Sequence, residues 1–264
     1  FLPLMLASAL HPAALAGTFL FVPAMGWAAH GYILLKSCLV LGSWIFGYFG
    51  MKHLPLTIAG PINATRPVLV LLGAILVFGE RLNPYQWAGV LLAAASFFLL
   101  SRSGKKEGID FRHDEWIWFM AMASLLGAAS GLYDKHLMAP KEAGGLGLDR
   151  VGVQSFYSLY QCALMGAVLV SLWYPGRRGT TPFRFSFCIV GISVFLSLAD
   201  FAYFYALSLP CAMISVVSML RRGSVLVSFL FGAIALREEN PKEKMLDLAL
   251  LLAGLFLLYL GSRS

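Results

Sequence analysis

Arginine, aspartate and amide side chains set inside long apolar runs are the residues of this sequence that could do chemistry. Arg66 lies near the middle of such a run, in the stretch Pro-Ile-Asn-Ala-Thr-Arg-Pro. Asn63 and Thr65 stand beside it, and Pro61 and Pro67 remove backbone donors on either side. A helix broken in this way offers a guanidinium, an amide, a hydroxyl and free carbonyls, which together suit a polar ligand in an apolar surrounding. The plainer reading is that Pro55, Pro61 and Pro67 bend the helix and that Arg66 pairs with a carboxylate or carbonyl. Arg221 and Arg222 occupy a corresponding place later in the chain. Neighbouring helical positions diverge by about 100°, so one of the two faces the ligand and the other pairs elsewhere. Asp200 is expected to be the only carboxylate deep in its helix. It is the natural ion-pair partner of Arg221 or Arg222, with proton coupling as an alternative role. Three arginines against one aspartate favour an anionic or zwitterionic ligand, because a guanidinium binds carboxylate or phosphate through two parallel hydrogen bonds.

Tyr48, Tyr157, Tyr203 and Gln161 are further candidates for hydrogen bonding and stacking, with Tyr160, Tyr205 and Gln154 behind them. Tyr157 and Gln161 are four residues apart and share a helix face. Tyrosines in apolar helices also serve as interfacial anchors or helix-to-helix contacts, which is their bland reading. No zinc-ligand spacing, Ser–His pair or phosphate loop is present, so neither a metal, a cofactor nor catalysis is expected. Cys38, Cys162, Cys188 and Cys211 show no paired spacing and read as small core residues. Glu80-Arg81 and Glu238-Glu239 read as helix-end caps before gates, and Trp116 and Trp118 as belt residues at a span edge.

The elements that position these groups follow from composition. Of 264 residues, 59% are hydrophobic and 12% charged, against about 25% charged in soluble domains. A soluble core could not absorb that apolar surface at this length, and disorder needs the opposite bias. An all-α integral membrane protein remains, with room for nine or ten spans at roughly 20 residues each. Phe1–Leu10 reads as the tail of a first span and Pro12–Ala29 as a second, with one helix kinked at Pro12 as the competing reading. Later spans are expected at about 32–52, 56–79, 85–101, 115–138, 152–174, 185–207, 211–236 and 244–262. The opening stretch has no basic region before it and is not read as a signal peptide. The net charge of +7 is assigned to loop anchoring rather than to nucleic acid.

An internal repeat organises the spans. Tyr48 to Ser103 and Tyr203 to Ser264 each carry a Tyr-Phe end, a Leu-Pro junction, an apolar helix with arginine, and an acidic turn near Asn-Pro. Each then closes on an apolar helix ending in Ser-Arg-Ser. The copies differ by a three-residue indel between Pro55/Pro210 and Glu80/Glu238. Five spans per half is an odd number, so the halves run oppositely through the membrane. Inverted repeats of this kind belong to alternating-access carriers that bind substrate at the repeat interface.

The stretch from Leu54 to Leu100, with its Pro-bearing helix, Gly-Glu-Arg turn and Trp-Ala-Gly helix, resembles the EamA-type permeases of the drug/metabolite transporter superfamily. The likeness covers nearly the whole chain and is most specific over Tyr48–Ser103. It departs where the first helix is mostly absent and where the second copy reads Arg-Glu-Glu-Asn with Asp247. The resemblance implies ten helices (here nine complete and the first truncated) in two inverted five-helix repeats, 1–104 and 105–264. It implies a secondary transporter with a central cavity, in a multi-pass position in the bacterial inner membrane, and leaves the substrate open. A small-molecule substrate and the lipid bilayer are the expected partners, with protons as a coupling ion and a homodimer compatible. Charge counting opposes the implied orientation. Eleven loop cations lie on one face, against Lys36, Arg81, Lys135, Lys141, Arg150 and Arg263 on the other, whereas the family orients both termini to the cytoplasm. Two other functions were weighed. A flippase for a lipid-linked anion would use the same arginines. An intramembrane aspartyl protease is faintly suggested by Gly-Leu-Tyr-Asp at Asp134 and Gly-Leu-Gly-Leu-Asp at Asp149, but the second has an extra residue and lies in a Gly-rich loop.

Overall fold

The computed structural model describes residues 2–15, 17–18, 21–54, 59, 62–63, 65–102, 115–176, 185–209, 212–222, 249–250, 252–254, 256–257 and 260–261. Among these every regular element is helical. They are α1 (Leu2–Leu10), α2 (Pro12–Leu15), α3 (Trp27–His53), α4 (Arg66–Phe78), α5 (Pro84–Arg102), α6 (Glu115–Met138), α7 (Arg150–Val168), α8 (Phe187–Leu207) and α9 (Ile214–Arg222). Among the described residues, four helices are long and apolar enough to cross a membrane: Trp27–His53, Glu115–Met138, Arg150–Ser171 and Phe187–Leu207. Their outer faces are apolar. On α8, Phe187, Ile192, Phe195 and Leu198 are all exposed, a pattern that suits lipid and would be a liability in water.

Local chemistry explains the element ends. Residues 21–26 have no regular secondary structure, so Pro12–Ala29 is not a continuous span as expected; α3 begins only at Trp27, after Pro23. α3 stops before Leu54-Pro55, because a residue preceding proline is driven out of the helical region. Within the expected span 56–79, residues 59 and 62–63 are helical, Thr65 is in a turn and α4 starts at Arg66, so Arg66 occupies the first turn of a helix. Pro67 fits there because the first helical amides need no partner. α4 closes on Gly79 at φ 61°, a left-handed position that glycine adopts without a Cβ penalty, and its N–H returns to the carbonyl of Ile75 at 3.1 Å. α5 opens with a reciprocal cap around Pro84. Gln86 N–H donates to Asn83 Oδ1 at 2.8 Å and Asn83 N–H to Gln86 Oε1 at 3.0 Å. Asp149 caps α7 by accepting from Gly152 N–H at 2.8 Å. α7 then widens into a π-helical stretch at Leu169–Trp173 and continues to Gly176. The Gly-rich loop ahead of α7 folds back on α6, with Leu146 and Leu148 N–H donating to the carbonyls of His136 and Leu137, each at 2.9 Å. The span expected at 211–236 is described only as α9, and its remainder lies outside the described residues.

Contacts group the chain into two compact units. The first holds Phe1–Leu41 and Tyr133–Cys211; the second holds Gly42–Leu132 and Ala212–Ser264. Each draws segments from both sequence halves. In the first, α8 and α1 pack on α7. In the second, α9 packs on α4 and α5, and Leu54, Ala59 and Met120 form a buried cluster covered by Ile62, Trp116 and Ile117. Cys38, Cys162 and Cys188 are free and exposed, which corrects their reading as core residues. A thiol behaves as a small hydrophobe, so an apolar outer face accommodates it. Cys211 lies outside the described residues.

Candidate functional site

The first unit contains a buried ion pair. Lys36, on α3, extends its ammonium to the carboxylate of Asp134, on α6. The two side chains are only 3% and 7% exposed. The Lys36 Nζ also lies 4.4 Å from the centre of the Tyr157 ring and 4.3 Å from that of Phe204, a cation–π enclosure from α7 and α8. Two expectations are corrected here. Lys36 is no loop cation: it stands inside α3 and is buried. Asp200 is also not the only carboxylate inside a helix, since Asp134 is the more deeply buried.

Around the pair, α7 presents amides. Gln154, Tyr157 and Gln161 fall within about 60° of one another around a helix. Gln154 and Gln161 are buried and Tyr157 is half-buried. Gln154 Nε2 donates to the carbonyl of Ser197 on α8 at 3.0 Å. Its Oε1, both polar atoms of Gln161, Ser155 Oγ and Tyr133 Oη are buried without a hydrogen-bond partner among the described residues. Beside this face, Tyr160 Oη and His30 Nδ1 are 2.9 Å apart and the His30 ring meets Phe156 edge-on at 4.6 Å. Tyr203 is buried in α8, its ring 5.5 Å from that of Phe204. Asp200 is half-buried on the same helix.

The second unit holds Arg66. Its guanidinium lies across the backbone of α6 at Gly127, so close that a Cβ at that position would overlap it. Glycine is required there for the approach. Asn63 is half-buried and Thr65 exposed, with Thr65 Oγ1 donating to the Ile62 carbonyl at 2.7 Å. Ser124, one turn before Gly127, donates to that same carbonyl at 3.3 Å. Tyr48 is exposed and rests edge-on against Phe49. Arg221 is exposed at the end of α9, and Arg222 is the last helical residue there. Thus Tyr157 joins the Lys36–Asp134 pair, Gln161 lies one turn further along the same face of α7, and Arg66, Asn63 and Thr65 cluster at the start of α4.

Three acidic residues have structural partners. Glu80 accepts from Ile214 N–H at 2.8 Å, Ser215 N–H at 3.4 Å and Ser215 Oγ at 2.5 Å. It is a helix cap, but for α9, far away in sequence, and an anion at a helix N-terminus is favourable. Glu80→Ala is expected to lower stability by about 2 kcal/mol, the worth of charge-assisted hydrogen bonds, measurable as thermal denaturation in detergent. Asp134 is held by Lys36 and Asp149 by the Gly152 amide, so neither is arranged as half of a proton-sharing carboxylate pair. His53 stacks on Trp116 at 3.7 Å and 12°, while Trp118 is exposed.

Lys36 and Asp134 were missed as a site because each carried an innocent explanation. Lys36 is near the start of an apolar run, and Asp134 is followed by Lys135 and His136.

Residues 1–102 match the EamA-like transporter family. No curated protein matches the chain. Among solved structures, one titled only as the crystal structure of a protein is 15% identical with a TM-score of 0.62, over 98% of this chain and 96% of that chain. At that identity the likeness speaks for the fold alone.

Proposed function

We propose, from the membership of residues 1–102 in the EamA-like transporter family of the drug/metabolite transporter superfamily, that this integral membrane protein is a secondary transporter. Its substrate is a small polar metabolite, anionic or zwitterionic, carried by alternating access across the bacterial cytoplasmic membrane. The family supports transport, and not catalysis, of a small molecule. The observation that carries the finer reading is the Lys36–Asp134 pair, buried within two helices apolar enough to span. An ionisable group in a span costs at least about 2.5–3.5 kcal/mol, so such groups concentrate where substrates and ions pass.

Arg66, with Asn63 and Thr65, is assigned to the substrate's carboxylate or phosphate. Tyr157, Gln161 and Tyr203 are assigned to hydrogen bonding and stacking, and Asp200 to proton coupling. Tyr48, Arg221 and Arg222 belong to the same assignment. Uptake of labelled anions and amino acids into proteoliposomes tests the reading. Accumulation or exchange of one of them supports it. Movement of a polyprenyl-phosphate conjugate with none of the soluble solutes would instead identify a lipid flippase. Asp200→Asn is expected to keep exchange while losing its dependence on a pH gradient; an unchanged gradient response removes Asp200 from coupling.

A further inference from the structure

We propose that the α7 face bearing Gln154 and Gln161, beside the Lys36–Asp134 pair, is a subsite for an uncharged hydrogen-bonding group of the transported solute, a carboxamide or hydroxyl. The inference rests on the transporter reading and names the chemistry of one end of the substrate. Lys36 and Asp134 neutralise each other, so this part of the first unit offers no net charge to an anion. What it does offer is amide capacity. Gln161 is 7% exposed, yet neither its Oε1 nor its Nε2 has a partner among the described residues, and the Gln154 Oε1 is in the same condition.

A buried amide left without partners is unfavourable, and one that is retained calls for a reason. Two side-chain amides one helical face apart, with donors and acceptors both open, match a group that gives and takes hydrogen bonds. A carboxylate could use only the donor, and an alkyl group could use neither. Tyr157 lies between the two glutamines on this face, its ring already turned to the Lys36 ammonium.

Gln161→Leu, in the full chain, gives two independent readouts. The first is the thermal stability of the ligand-free protein in detergent. An unpartnered amide replaced by a slightly smaller alkyl group should leave the melting temperature unchanged or raise it. A drop of more than about 3 °C, roughly 1 kcal/mol for a chain of this size, would mean that the amide is structurally bonded and would overturn the proposal. The second is uptake into proteoliposomes of glutamine, glutamate, norvaline, succinate and glucose. The expected result is that glutamine moves fastest in the wild type and slows at least about tenfold in Gln161→Leu. Preference for glutamate, succinate, norvaline or glucose, or wild-type rates in the variant, would overturn it. If no probe moves in the wild type, it is the transport reading that fails, and the stability measurement alone then decides whether the amides are open.

Discussion

Lys36→Met is expected to be the most damaging single substitution in the first unit. It leaves the Asp134 carboxylate, 7% exposed, among apolar helices with its cation removed. Stripping one partner from a buried pair costs about 3–5 kcal/mol, chiefly because the other charge stays behind uncompensated. Methionine keeps the volume and length of lysine, so packing against Tyr157 and Phe204 is retained and the loss reports on charge. A double variant, Lys36→Met with Asp134→Leu, removes both charges together. Replacing both members of a buried pair with apolar residues is often neutral or stabilising, so the double variant should recover most of the lost stability in a detergent melt. Transport should not recover with it. Folding restored without uptake separates a functional pair from a structural one, and wild-type uptake by the double variant would reduce the pair to a scaffold.

The extent to which the sequence disclosed this arrangement differs between the fold and the site, for physical reasons. Helix α6 was expected at 115–138 and is found there, because uninterrupted apolar runs and charged flanks report directly on burial in lipid. A break beside Arg66 was legible from the flanking prolines, but its place in a first helical turn was not, because proline is compatible with both and only backbone hydrogen bonding tells the two apart. That Tyr157 and Gln161 share a face of one helix was legible from their spacing, since a shared face is a property of periodicity. The Lys36–Asp134 pair could not be found that way: its members are far apart in sequence, and nothing local marks either as buried. Glu80 makes the same point in reverse. Its role as a cap was legible from its position after a helix, but the helix it caps is α9, which only tertiary packing brings near.

Arg66→Ala is expected to reduce transport by on the order of 10- to 100-fold while the protein still folds. The magnitude follows from losing a charge-assisted contact of about 1.5–3 kcal/mol, at 1.4 kcal/mol per factor of ten. Arg66→Lys should restore only part of the rate, because an ammonium keeps the charge but lacks the planar two-pronged donor. Gly127→Ala probes the same guanidinium without touching it. A Cβ there overlaps the guanidinium of Arg66, so the side chain must leave its place across α6. Alanine improves helix propensity by about 1 kcal/mol, whereas overpacking costs about 1–3 kcal/mol. The two nearly offset, which predicts a modest change in melting temperature beside a large fall in uptake. Concordant losses in Arg66→Ala and Gly127→Ala would establish that both the charge and its position matter. Wild-type uptake in Gly127→Ala, with Arg66→Ala inactive, would mean that Arg66 acts from a different placement than the one against α6. Wild-type uptake in Arg66→Ala would remove Arg66 from substrate binding altogether.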